Sequence, residues 1–177
     1  IDVVVRGEGE ETFRELLCHW LERGKPSVGA DLREIQGLGF REANEIVLTD
    51  RRPFIEDLDI IPSPYLNGCI DLKNESRSIL FETYRGCPFK CSFCFYPKDY
   101  GNLLHSFSMD RVREDLGNIL KSGAQSVFLM DPTFNIPPKR AKEILRFIAE
   151  NRQSDDLSVT VELRVDLLDQ EFMGLLK

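Results

Sequence analysis

Three of the five cysteines stand within eight residues, Cys87-Pro88-Phe89-Lys90-Cys91-Ser92-Phe93-Cys94, spaced Cys-x3-Cys-x2-Cys. Short spacings beside Gly86 and Pro88 let the backbone fold around a single point, as thiolates binding a metal ion or an iron–sulfur cluster require. A structural zinc takes four ligands, and an electron-transferring 4Fe-4S cluster takes four cysteines. Three thiolates leave one position open to a group that is not protein, and an open position marks a catalytic site more often than a structural one. A zinc site would need a fourth ligand from Cys69 or His105. Disulfides are disfavoured, because the count is odd and three close cysteines cannot all pair. Cys18 falls on an apolar helix face and is expected to be a core residue.

The elements around this loop set its place. Residues 78–84 read as a strand, beginning with the apolar run Ser78-Ile79-Leu80-Phe81, and they feed straight into the cysteines. Ser108 can cap a helix with Val112, Leu116, Ile119 and Leu120 on one face, ended by Gly123. Ser126–Met130 is an apolar strand, as in a parallel sheet covered on both faces, and it delivers Asp131-Pro132-Thr133-Phe134-Asn135. Pro137-Pro138 opens a helix with Ala141, Ile144, Leu145 and Ile148 in register. Ser158–Arg164 reads as a third strand, and Leu167–Lys177 starts a helix capped by Asp169. Alternating strand and helix implies parallel strands with right-handed crossovers. In such barrels the chemistry gathers at strand C-termini, so the cysteine loop, Asp131–Asn135 and Glu162–Asp166 are expected on one rim. Glu162 and Arg164 interrupt an apolar strand, where burying them unpaired would be costly. Either they pair with each other, or they bind cofactor or substrate.

Upstream, Ile1–Val5 is a β-branched run, compatible with a buried strand. Gly7-Glu8-Gly9-Glu10 is a turn and cap rather than a phosphate cradle, since its glutamates would repel a phosphate. Thr12 and Glu15 form a capping box, followed by Phe13, Leu16, Leu17, Trp20 and Leu21 at helical spacing, with Gly24 as the left-handed terminator. Residues 38–49 read as a hairpin about Glu42-Ala43-Asn44, and 57–66 as an extended, proline-punctuated stretch with at most a short turn. Three parts are therefore expected: 1–24, a connector over 25–74, and 75–177. The chain also reads as an internal piece of a longer protein, beginning within a strand and stopping within a helix.

Composition is that of an ordinary soluble protein, 42% hydrophobic and 30% charged. No apolar run approaches the roughly 18–20 residues of a membrane span. A net charge of −7 and a pI near 5.0 argue against a nucleic-acid surface. Closely spaced thiols fit a reducing cytoplasm.

The Cys-x3-Cys-x2-Cys loop after a strand, with Phe93 just before the last cysteine, resembles the radical S-adenosylmethionine superfamily. The resemblance implies that Cys87, Cys91 and Cys94 hold a 4Fe-4S cluster, and that S-adenosylmethionine chelates the fourth iron. It implies that Phe93 lies against the adenine and that Asp131, by position, receives the amino group of S-adenosylmethionine. Many relatives carry an acidic pair there, whereas this chain has Asp131-Pro132. Val4–Glu10 with the following helix resembles the last βα unit of a Rossmann-like cobalamin-binding domain, found before the radical core in one branch. That branch's Asp-x-His-x-x-Gly loop is absent and would lie upstream of Ile1. The implied fold is α/β: the end of that domain, a linker with a β-hairpin, and the first three βα units of a partial (β/α) barrel.

The implied activity is reductive cleavage of S-adenosylmethionine to methionine and a 5′-deoxyadenosyl radical, serving cobalamin-dependent methylation or another change at an unreactive carbon. A small-molecule substrate and a reductant such as flavodoxin or ferredoxin are the implied partners. Two other classes remain. A tRNA-modifying, methylthiotransferase-like enzyme would usually bring extra cysteines and a basic surface, and a non-catalytic zinc or iron–sulfur module would need the fourth ligand. Three βα units leave the third strand as an exposed edge, so residues 1–177 alone are expected to be poorly soluble and inactive.

Overall fold

The computed structural model describes residues 2–23, 30–73, 78–96 and 104–177. The chain divides into two compact units, 1–56 and 57–177. The stretch expected as a connector is thus shared between them. Gly24, expected to end the first helix, lies outside the described residues.

In the first unit, β1 (Val3–Val5), β2 (Leu38–Glu42) and β3 (Glu45–Leu48) form an antiparallel sheet in the order β1-β2-β3. Val3 stands opposite Phe40, and Gly39 opposite Leu48. The expected hairpin is present, with Ala43 left-handed at φ 51° in its two-residue turn. Its first strand also pairs with β1, whose Val4 is exposed. The run is therefore not a buried strand: β-branched residues favour any pleated surface, and only alternate side chains here meet the core.

Helix α1 (Glu10–Arg23) starts two residues before the expected cap. Thr12 lies inside it, fully buried, and donates to the Gln36 carbonyl at 3.1 Å. Arg52 donates to Thr12 Oγ1 at 3.0 Å and pairs with Glu15. Tertiary bonds have taken both members of the capping box. Gly37, at φ 80°, must be glycine, since a Cβ there would lie 2.7 Å from Thr12 Oγ1. The core of this unit is Leu16, Leu32, Ile35, Leu38 and Phe40, with Trp20 packed against it. Phe13, Leu17 and Leu21 are exposed, and so is Cys18, contrary to expectation. The core-facing stripe is Thr12-Leu16-Trp20, with Trp20 partly buried, and Cys18 lies off it. Glu8 is buried and accepts the Ile55 N–H at 2.6 Å, a tie within the unit.

In the second unit, β4 (Ser78–Phe81), β7 (Ser126–Leu129) and β8 (Ser158–Val161) form a parallel sheet with β7 central. Ile79, Val127 and Val159 align in one row, and Phe81, Leu129 and Val161 in the next. Both rows join the core with α2 (Met109–Lys121), α3 (Pro138–Asn151) and Phe172 of α4 (Gln170–Leu175). The alternate row, Leu80-Phe128-Thr160, faces away, and Leu80 is exposed. Cover on both faces is therefore not what the unit shows. Its helices gather on one side, as the outer helices of a (β/α) barrel do.

The end signals work as written. Ser108 Oγ accepts from Arg111 N, Asp169 Oδ1 accepts from Phe172 N, and Gly123 is left-handed at φ 82°. The stretch 57–66 contains a 3-10 turn at Leu58–Ile60, with Asp57 accepting the Asp59 N–H.

Candidate active site

The expected strand over 78–84 breaks after Phe81, and the break is the structural root of the site. Met130 N–H still bonds Phe81 O at 2.8 Å, but beyond it Asp131 intercepts the chain. Asp131 Oδ1 accepts the N–H groups of Thr83 at 2.7 Å and Tyr84 at 3.1 Å, and Oδ2 accepts the Thr83 hydroxyl at 2.5 Å. Two backbone donors are thereby drawn to a side chain, and the strand turns. Asp131 is 0% exposed, and burial raises its carboxyl above the usual range against the pull of these bonds.

The redirected chain forms β5 (Tyr84–Arg85), paired antiparallel with β6 (His105–Ser106). His105 thus stands opposite Arg85, at the base of the cysteine loop, as a strand residue. Tyr84 is buried, and its hydroxyl donates to Thr133 O at 2.5 Å and accepts from Thr133 N at 3.0 Å. Burial pushes the phenol well above its ordinary value. One phenol thus locks the segment before the cysteines to the segment after β7. Gly86 follows at φ 96°, a conformation that only glycine adopts without strain.

Cys87 is buried, with Sγ 3.6 Å from Thr133 Oγ1. Cys91 is exposed and Cys94 half-buried, joined by a turn in which Cys94 N–H bonds Cys91 O at 3.0 Å. All three are free cysteines. Among the described residues, no three Cys, His, Asp or Glu side chains stand close enough about one point to hold a single metal ion. The donor chemistry suits an iron–sulfur cluster, which is held by thiolates, and this loop offers three of them from a turn anchored at its buried end.

The third strand end closes the arrangement. β8 stops at Val161, so Glu162 lies beyond the strand and is exposed, and the cost of burying it does not arise. Its carbonyl accepts Phe134 N–H at 2.7 Å. Asn135 clasps the backbone of Arg164, donating to its carbonyl at 2.8 Å and accepting its N–H at 3.0 Å. The Arg164 guanidinium bonds both oxygens of Asp166, at 3.0 and 2.8 Å, and does not pair with Glu162. That bond raises the arginine and lowers the aspartate. Its Cζ lies 4.1 Å from the centre of the Phe89 ring, a cation–π contact with the cysteine loop. Phe93 is 90% exposed.

The structure therefore brings the cysteine loop, Asp131–Asn135 and Arg164 onto one rim at the C-terminal ends of three parallel strands. Three contributors escape a reading of the sequence, Thr83, Tyr84 and Arg140, and Thr133 lies in the expected rim segment with no role read for it. Arg140 Nη2 donates to the carbonyls of Thr83 at 3.0 Å and Phe107 at 2.8 Å, and burial lowers its guanidinium. Its signal was position: it precedes Ile144 and Ile148 at intervals of four on the apolar face of α3.

The radical SAM superfamily model matches residues 81–177. An uncharacterized methyltransferase of Pyrococcus horikoshii is 33% identical over 181 residues, covering 100% of this chain and 38% of the relative. The cobalamin-dependent radical SAM methyltransferase TokK of Streptomyces tokunonensis is 32% identical over 173 residues, covering 94% of this chain and 24% of its own length. The methyltransferase TsrM from Kitasatospora setae, solved with cobalamin and a [4Fe-4S] cluster, superposes with a TM-score of 0.68 at 20% identity, covering 99% of this chain and 36% of that one. The chain thus spans well under half the length of these proteins. With its three-cysteine loop on a parallel-strand rim and a family match over more than half its residues, this chain belongs to the radical SAM superfamily.

Proposed function

We propose that the protein is a radical S-adenosylmethionine enzyme serving cobalamin-dependent methylation or a related modification of an unreactive carbon. The observation that carries the reading is the three-thiol loop set on the rim of a parallel sheet. Cys87, Cys91 and Cys94 would hold the cluster, and three thiolates would leave one position open to S-adenosylmethionine. When bound, these groups supply reductive cleavage of the sulfonium to methionine and a 5′-deoxyadenosyl radical. Phe93 lies against the adenine. Arg164 braces the loop through Phe89, and its guanidinium and the exposed Glu162 face the bound cofactor or substrate. Asp131, placed by the resemblance at the amino group of S-adenosylmethionine, is buried with both oxygens bonded to Thr83 and Tyr84, so its role here is to fix where the loop begins.

The cobalamin named for TokK and TsrM favours it as the further cofactor here, and the substrate in this reading is a small molecule. The electron comes from a reductant protein such as flavodoxin or ferredoxin. Among the described residues no helix is long and apolar enough to cross a membrane. A direct test incubates the reconstituted full-length protein with S-adenosylmethionine and dithionite without oxygen. Production of 5′-deoxyadenosine, absent from Cys94→Ala, is expected. Intact S-adenosylmethionine in the presence of a reducible 4Fe-4S cluster would sink the proposal.

A further inference from the structure

We propose that Thr133 donates a hydrogen bond to the sulfur of Cys87 and thereby raises the reduction potential of the cluster. This rests on the reading of Cys87 as a cluster ligand. Thr133 Oγ1 lies 3.6 Å from Cys87 Sγ, within reach of a hydrogen bond to sulfur. Thr133 and Cys87 are 4% and 8% exposed, so water competes little for either. The contact is also built rather than incidental. Tyr84, three residues before Cys87, holds both the N–H and the carbonyl of Thr133 through its hydroxyl. The segment that carries the ligand therefore also fixes the donor.

The hydroxyl has a second acceptor, the Pro132 carbonyl at 2.7 Å. With Cys87 as a thiol, both bonds form together: the S–H donates to Oγ1 and the hydroxyl donates to Pro132. A sulfur bound to iron carries no proton, so the hydroxyl becomes the only donor of the pair and turns to the sulfur. A hydrogen bond to a ligand sulfur stabilises the added electron, and such bonds are among the factors that set cluster potentials. Thr133 is thus a tuning residue that acts through Cys87.

The test is an anaerobic redox titration of the reconstituted full-length protein, followed by electron paramagnetic resonance, for wild type, Thr133→Val and Thr133→Ser. With equal iron per chain, the valine protein is expected to titrate at a more negative potential, outside replicate scatter, and the serine protein with wild type. Coincident valine and wild-type titrations would overturn the inference. If the valine protein loses its iron, deuterium double resonance of wild type after exchange into D2O decides, because the hydroxyl must appear as an exchangeable deuteron coupled to the cluster. Its absence would also overturn the inference. A wild-type protein lacking any 4Fe-4S signal would instead strike the assignment beneath it.

Discussion

Two buried aspartates of the second unit solve the same problem differently. Asp115, on α2, accepts Arg111 Nε at 2.8 Å one helical turn away and is also bonded by the Ser63 hydroxyl. Ser63 Oγ accepts the N–H groups of Tyr65 and Leu66, so the carboxylate anchors the stretch 63–66 onto the helix with its charge matched. Asp131 has no cation within hydrogen-bonding distance among the described residues, only the dipoles of Thr83 and Tyr84, with Arg140 more remote. Burial is costly for an unpaired carboxylate. That cost is borne where a strand must bend away from its sheet to present three thiols. Asp115 stabilises; Asp131 shapes.

The contrast can be broken from either side. The largest effect is expected from Asp131→Ala, which leaves two backbone N–H groups and a hydroxyl buried without their acceptor. A loss of about 3–5 kcal/mol follows, read from the urea midpoint at unchanged slope. Asp115→Ala strands Arg111 and should cost about 2–4 kcal/mol. Replacing both, as Arg111→Met with Asp115→Leu, should recover part of that loss, because an apolar pair removes the stranded charge while the buried Ser63 hydroxyl still lacks its acceptor. No comparable double replacement exists for Asp131, whose partners include backbone.

A subtler separation comes from pH. The carboxyl of Asp131 is raised in the fold, so the folded chain binds a proton more tightly than the unfolded one. Its contribution to stability is therefore full below the ordinary aspartate value of about 3.9, and is lost as pH rises through the higher folded value. Groups such as Asp166 and Asp169, lowered by Arg164 and Lys142, act in the opposite sense. The difference between wild-type and Asp131→Asn stability profiles isolates the term: it should slope across that window, and a flat difference would contradict the assignment. The smallest effect is expected at Arg164→Lys, where the Asp166 pair and the Phe89 contact lie at the surface and salt screens them. Thermal midpoints in high salt should coincide with wild type.

The fold was legible wherever local chemistry decides it. Ser108, Asp169 and Pro137-Pro138 mark helix starts that the structure keeps, and the hairpin turns at Ala43-Asn44. The reading failed where a distant partner outbids the local one. Thr12 and Glu15 look like a capping box, yet Gln36 and Arg52 claim them. The run 78–84 looks like one strand, yet an aspartate 48 residues away takes its N–H groups. In the site, the grouping of the three cysteines on one loop was plain from spacing alone. The Tyr84–Thr133 lock was not, because a buried tyrosine bonding a backbone leaves no pattern in one sequence.

The central claim is that this rim holds a cluster with one iron open. The most direct measurement is electron paramagnetic resonance of the reduced, reconstituted full-length protein, with and without S-adenosylmethionine and with Cys91→Ala as control. A 4Fe-4S signal that changes on adding S-adenosylmethionine and vanishes in the variant is predicted. Stoichiometric zinc, or a cluster signal indifferent to S-adenosylmethionine, would contradict it.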